Sequence, residues 1–318
     1  MDLIYTNATR VDQGVLTTYA FDLSFGASEN DFEMTLGANQ PTLEDGAVIY
    51  IEGTEYGGMV DGVKTGTDSD TITYMGRTWH GVINSKVIEP DEGEDYYIVS
   101  GDAHVILSGL MDRLGLSDLF AVDEASTDVN IKKYKFHRYC KAYDGITDML
   151  GDNGAKLSIR WENRKVILSA QKVADYTESP IDGDIATLTV EQHKQKVNHL
   201  ICLGKGDLAE REVIHLYVDQ FGRIGDVQYY TGLAEYSEPY DNSVSDDLRS
   251  DGIKRLKELL NCDKAEIALL ETKDLIYDIG DIVGATEVRS GVSVAANVTQ
   301  KIVKIKNGVI STEYKTGG

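Results

Sequence analysis

Asp31-Phe32-Glu33-Met34-Thr35-Leu36 alternates between polar and apolar residues without a break. A period of two places Phe32, Met34 and Leu36 on one face and their polar neighbours on the other, the pattern of a half-buried strand. Downstream, Glu44-Asp45-Gly46 supplies turn chemistry. Ala47 to Ile51 is apolar throughout, as expected for a strand covered on both faces. Gly57-Gly58 and Asp61-Gly62 read as turns, and Thr71-Ile72-Thr73-Tyr74 as another short strand. Residues 1–98 are therefore expected to form a small barrel or sandwich of short strands.

The pattern changes in residues 99–180. Leu107, Leu110, Met111 and Leu114 follow helical spacing, with Ser100 as the expected N-cap and Gly115 as the C-terminal stop. Val129, Ile131 and Lys133 suggest a strand. A second helix is expected from Tyr139 to Leu150, with Ala142, Ile146, Met149 and Leu150 on its inner side and Gly151 ending it. Leu157 to Trp161 and Lys165 to Ala170 flank Glu162-Asn163-Arg164, a hairpin turn. This order makes an α+β module.

Residues 181–318 return to β with one helix. Leu188 to Val190, His199 to Leu203 and Ala265 to Leu270 are strand candidates. Ser243-Val244-Ser245-Asp246 resembles a capping box before the apolar stripe Leu248, Ile253, Leu256, Leu259 and Leu260, which ends near Asn261. Tyr277 to Val283 is a turn entering a strand. Val292 to Ile305 is a long strand whose apolar phase shifts between Ile302 and Val303, which predicts a bulge there. Asn307-Gly308 then makes a two-residue hairpin turn into Val309 to Tyr314.

Composition narrows the function. The 318 residues carry 53 acids and 31 bases, a net charge of −22. The first hundred hold 18 acids and 4 bases, a net of −14, so the negative charge is concentrated there. Such a surface repels phosphate backbones and anionic membranes, which argues against general nucleic-acid or membrane binding. Apolar runs are only a handful of residues, against about 20 for a membrane helix. The first residues lack the pattern of a secretory signal peptide. Cys140, Cys202 and Cys262 are dispersed, as expected of reduced thiols. Tyrosine outnumbers phenylalanine 18 to 6, which suits half-buried sheet surfaces and subunit contacts.

No stretch carries a catalytic signature. His80, His104, His137, His193, His199 and His215 form no HxxxH or HExxH pair, and His193 and His199 would lie about 20 Å apart on one strand. His137 beside Cys140, with Lys135, Arg138 and Lys141 nearby, allows a lowered thiol pKa, although a small apolar residue at a helix start explains Cys140 as well. Gly204-Lys205-Gly206-Asp207 lacks the spacing of a phosphate loop and reads as a turn. Asp68-Ser69-Asp70 lacks the later residues of a calcium loop. Asp91 to Asp95 reads as a solvated linker. Lys132, Lys133, Lys135, Arg138 and Lys141 form the one basic cluster, with Tyr134, Phe136 and Tyr139 interleaved. In so acidic a chain it suits an acidic neighbouring subunit better than nucleic acid. No catalytic, cofactor-binding or metal-binding residue is assigned.

Three stretches together carry a resemblance. They are Asp31 to Leu36, Gly76-Arg77-Thr78-Trp79-His80-Gly81-Val82-Ile83 with its continuation Lys86 to Pro90, and Tyr277-Asp278-Ile279-Gly280-Asp281-Ile282-Val283. They resemble the tail-hub and baseplate-hub proteins of long-tailed bacteriophages and phage-like elements. The resemblance implies a mainly β fold with α+β parts: two β-barrel modules like the tail-tube protein, with an α/β insertion between them. It implies a homotrimeric ring that adapts the tail tube to the tip or spike and lines the DNA channel. It also implies tail-tube, tape-measure and tip or spike proteins as partners. The location would be the virion tail, after synthesis in the bacterial host cytoplasm. No enzymatic activity, cofactor or sequence-specific nucleic-acid binding is implied. Two alternatives stay open. A carbohydrate-binding adhesin would need an exposed aromatic platform, for which Trp79 and Trp161 are the tryptophan candidates. A glycoside-hydrolase-like tail enzyme would need a cleft with two facing carboxylates.

Overall fold

A computed structural model describes residues 2–26, 29–37, 39–125, 127–181, 186–191, 193, 195–260, 264–269, 277–287, 289–306 and 308–317. The chain is mainly β. Its first strands are β1 (Leu3–Thr6), β2 (Asp12–Leu16), β3 (Tyr19–Gly26), β4 (Asp31–Gly37), β5 (Val48–Tyr50), β6 (Gly57–Thr65) and β7 (Thr71–Thr78), followed by helix α1 (Trp79–Asn84). The middle holds β8 (Val87–Ile88), β9 (Ile98–Asp102), α2 (Ala103–Arg113), β10 (Phe120–Val122), β11 (Asn130–Lys135), β12 (Cys140–Lys141), α3 (Ala142–Gly151), β13 (Ala155–Glu162) and β14 (Lys165–Lys172). The last part holds β15 (Asp175–Ile181), β16 (Ala186–Glu191), β17 (His199–Leu203), β18 (Val213–Val218), β19 (Ile224–Gly225) and β20 (Ser237–Asp241). It continues with α4 (Leu248–Leu260), β21 (Lys264–Leu269), β22 (Ile282–Glu287), β23 (Val292–Lys306) and β24 (Val309–Thr316).

One 13-stranded sheet joins the two ends of the chain. Its path runs β16-β21-β24-β23-β3-β4-β7-β6-β5-β1-β2, with β22 on β23 and β15 on β22. Among the described residues the main path ends at β16 and β2, the branch ends at β15, and the sheet does not close on itself. The first and last strands meet where β3 pairs antiparallel with β23, from Gly26↔Gln300 to Ala20↔Lys306. Phe32, Met34 and Leu36 face inward, as the alternation predicts, and share a core with Phe21, Leu23, Val303 and Ile305.

Strand β23 contains the expected irregularity, but earlier than apolarity suggested. Its register with β24 slips between Val298 and Gln300. The inward set passes from Val298 and Gln300 to Lys301, Val303 and Ile305. Gln300 and Lys301 are buried polar residues, so side-chain polarity hides the crossover until Val303. Gly57, Gly58 and Gly62 also depart from expectation: they lie within β6 and make no turn. A Cβ on Gly58 would stand 2.3 Å from the Arg77 carbonyl oxygen, and one on Gly76 would stand 2.0 Å from that of Met59. Glycine lets β6 and β7 approach closely. Asp61-Gly62 marks a register shift between the same two strands.

The middle of the chain packs α1, α2 and α3 around the β13–β14 hairpin, with β10 parallel to β14. Helix α2 is capped by Asp102, which accepts from the N–H groups of His104 and Val105; Ser100 lies too early. At its end Gly115 has φ +69. Its N–H donates to Asp112 O, and that of Leu116 donates to Met111 O, closing a left-handed C-terminal cap as predicted. Helix α3 starts at Ala142 because Cys140-Lys141 pairs with β8. Its buried face is the expected one, and the helix runs through the exposed Gly151 rather than stopping before it. Asn163 and Arg164 have φ of 52° and 63°, making the two-residue turn of the β13–β14 hairpin. In β11 the inward residues are Ile131 and Tyr134, while Lys133 faces solvent.

A smaller lobe interrupts the last part. Its four-stranded sheet, β19-β18-β17-β20, packs Leu200, Cys202, Leu216 and Val218 beneath Leu248 and Leu256 of α4. Asp247 provides the cap, accepting from Ser250 N–H at 3.0 Å, and Ser243 does not. Ser245 instead donates its hydroxyl to Asp251 at 2.5 Å. Lys306 pairs with Val309 across the final hairpin turn, in which Gly308 has φ +81. Asn307, Asn261, Cys262 and Leu270 lie outside the described residues.

Candidate functional site at the sheet junction

Charge is buried where β3 meets β23. Lys301 is 1% exposed, and its Nζ donates to Glu55 Oε1 at 2.5 Å. The same Nζ stands 5.7 Å from the ring centre of Tyr56 and 5.9 Å from that of Tyr314. Burial alone would lower the pKa of this ammonium. Glu55 and the two tyrosines outweigh burial, and the net shift is upward. Burial also pushes the Tyr314 hydroxyl up to about 12.

His80 of α1 lies on the other side of Glu55, with Nε2 3.7 Å from Oε2. Burial brings its pKa down to about 4. The imidazole is therefore neutral near pH 7, and Lys301 is the counter-ion of Glu55. The ring packs on Phe25 of β3 at 4.8 Å and on Tyr143 of α3 at 5.3 Å. One residue of α1 thus touches the sheet and the middle helix together.

A second charged knot ties the middle of the chain to the turn before β22. Lys156 Nζ of β13 donates to Asp278 and Asp281, both at 2.8 Å. Asp281 is 1% exposed and also accepts from the N–H groups of Asp278 and Ala174. Burial would lower the Lys156 pKa, but its bonds to the two aspartates raise it overall. Nearby, Tyr277 N–H donates to the Tyr314 hydroxyl. Backbone bonds add a further tie: Gly53 N–H donates to Trp161 O, and Trp161 N–H to Thr54 O. The three stretches singled out in the sequence thus have definite places. Asp31 to Leu36 fills the sheet core, Gly76 to Ile83 delivers His80, and Tyr277 to Val283 delivers Asp278 and Asp281.

The remaining candidates separate. Lys132, Lys133, Lys135, Arg138 and Lys141 are exposed, but Tyr134 and Phe136 point into the core, leaving only Tyr139 beside the charges. Part of the basic cluster already faces its own chain: Lys135 covers the Tyr96 ring at 4.2 Å, and Arg138 stands 3.9 Å from Asp95. Cys140 sits on a strand, and burial raises its thiol pKa, opposite to an activated thiolate. Gly204 to Asp207 opens the β17–β18 connection, where Lys205 pairs with Asp246. Trp79 and Trp161 are buried and stacked at 5.3 Å, so they form no exposed platform. Among the described residues no group of three or more His, Cys, Asp or Glu is placed to hold a metal ion. No described helix is long and apolar enough to cross a membrane.

A cleft of about 700 Å³ opens between α3 and the β22–β23 pair. Asp144 and Asp148 line it one turn apart on the same helix, and burial raises both carboxyls. Asp175 also lines it, with its carboxylate accepting from the N–H and hydroxyl of Thr177 at 2.9 and 2.7 Å. Sequence spacing missed one further constellation. His199 contacts Glu235 at 2.6 Å and His215 at 2.8 Å, a meeting set by strand register.

No family model and no curated protein matches the sequence. Solved structures do match. A tail protein from Neisseria meningitidis MC58 superposes with a TM-score of 0.61 at 11% identity, covering 100% of this chain and 96% of its own. A prophage tail protein from Listeria monocytogenes EGD-e gives 0.59 at 13%, covering 100% and 94%. The chain has the fold of phage tail proteins. The 43 kDa tail protein of prophage MuSo2 from Shewanella oneidensis gives 0.63 at 11%, covering 99% and 97%. The tail-protein fold agrees with the resemblance carried by the three stretches.

Proposed function

We propose that this protein is a structural component of a phage-like tail, the hub whose ring adapts the tail tube to the tip or spike. The observation that carries this is the match of fold over the whole chain to tail proteins that are themselves covered almost end to end. In this proposal residues 1–98 and 181–318 are tube-like β modules, residues 99–180 are the insertion between them, and three chains make the ring. Two features support it. Among the described residues the long sheet ends in β2, β16 and β15, which offer edges for neighbouring copies. Asp22, Asp31 and Glu33 share one exposed face of the first strands, beside the Arg77–Asp61 ion pair, and leave it net negative. Such a face suits a channel wall to which DNA phosphates do not adhere. A structural role is preferred to catalysis because Asp144 and Asp148 share one wall of the cleft and Asp175 is engaged by Thr177. The partners in this proposal are tail-tube, tape-measure and tip or spike proteins, and the location is the virion tail.

Light scattering behind a sizing column, over a range of concentrations, tests the ring. A mass near three times 35.0 kDa is expected. A strict monomer at every concentration, together with failure to bind isolated tail tubes, would remove the hub proposal.

A further inference from the structure

The lobe carries a histidine pair that a tail-hub role does not use. In the β17–β18 pairing His199 lies opposite Tyr217 and Ile201 opposite His215. His199 and His215 are therefore diagonal neighbours on one face of the sheet, the face turned away from α4. Glu235 Oε1 stands 2.6 Å from His199 Nδ1. A carboxylate only accepts, so His199 carries a proton on Nδ1, and in the neutral ring Nε2 is a bare lone pair. His215 Nδ1–H donates into that lone pair at 2.8 Å. Tyr217 stacks on the His199 ring with centroids 4.4 Å apart and fixes its plane. His199 is buried, whereas His215 is exposed and can turn.

We propose that His199 Nε2 and His215 Nδ1 chelate one divalent transition-metal ion of the zinc, nickel or copper class. A carboxylate bonded to the far nitrogen of a ligating histidine is the usual support of such ions, because it orients the ring and raises its basicity. Imidazole nitrogen suits these ions, whereas calcium and magnesium take oxygen. Two nitrogens on a tetrahedral ion at about 2.0–2.1 Å lie roughly 3.3 Å apart. That is about half an ångström beyond the present 2.8 Å, and rotation of the exposed His215 supplies it. On binding, His215 moves its proton from Nδ1 to Nε2 on the solvent side, so no net proton is released. Glu235 keeps its bond to His199. Water completes the coordination, because the chain provides two nitrogens and not three.

Calorimetric titration of the untagged full chain with Zn²⁺ alone tests this, alongside the electron paramagnetic spectrum of added Cu²⁺. One ion per chain and two coupled imidazole nitrogens are expected. His215→Ala, at an exposed position, should weaken binding about tenfold or more, and Glu235→Gln about 10- to 100-fold. Neither should change secondary structure by circular dichroism. His137 and His193 are exposed elsewhere, so the His137→Ala/His193→Ala variant should bind as the parent does. No saturable binding, equal binding by His215→Ala, or loss of binding in the His137/His193 variant would each overturn the proposal.

Discussion

The sheet junction and the β17–β20 lobe use charge in opposite ways. At the junction Lys301, Lys156, Glu55 and Asp281 are withdrawn from water and matched to one another. In the lobe, pairs such as Lys205–Asp246, Arg223–Asp219 and Arg249–Asp226 stay at the surface. A buried charge that loses its partner is costly, because water cannot replace it; a surface charge is resolvated at once. The junction therefore fixes how three parts of the chain meet, while the lobe is an appended unit with its own small core. The same residue types serve as locks in one place and as a solvated coat in the other.

The widest gap between the two regions should come from Lys301→Ala. It leaves Glu55 without its counter-ion and should cost about 3–5 kcal/mol in urea unfolding. A loss below about 1 kcal/mol would break the contrast. The Lys301→Met/Glu55→Gln variant should recover much of the loss, because no unpaired charge remains. Next comes acid sensitivity at His80. Between its folded pKa of about 4 and the ordinary 6.5, the unfolded chain binds more protons than the folded one. Stability should therefore fall as pH drops through that window, by about 3 kcal/mol in all. His80→Gln should flatten this slope, and an unchanged slope would place the acid response elsewhere. Asp281→Asn should cost about 1.5–3 kcal/mol, since it weakens the bond to Lys156 and the two backbone donors. The smallest effect belongs to the lobe: Lys205→Ala should leave the urea midpoint unchanged. A clear shift there would mean that surface pairs also hold the lobe in place.

Much of the fold was legible in the sequence because apolar side chains mark inward faces. Phe32, Met34 and Leu36 did so in β4, and Ala142, Ile146, Met149 and Leu150 did so in α3. The stop at Gly115 and the turn at Asn163-Arg164 were legible from turn chemistry. The pattern misleads where polarity and position disagree. Lys301 is a cation inside a core, so the crossover in β23 seemed to lie further on. Gly57 and Gly58 carry the signal of a turn, yet they serve close packing of strands. The junction itself was hidden, because no local spacing relates Glu55 to Lys301 or Lys156 to Asp281. The His199–His215 meeting was hidden for the same reason: it follows from the register of two strands.

The β3–β23 pairing also has a consequence in time. Residues 20–26 leave the ribosome long before residues 300–306 exist. At about 5–20 residues per second the delay is roughly 15–55 s. Throughout it, β3 has β4 on one side and an unsatisfied backbone edge on the other, next to the buried face of Phe21, Leu23 and Phe25. Such an edge recruits any nearby strand. The nascent chain is thus most prone to mispairing during its own synthesis, and the last strands to emerge end that exposure.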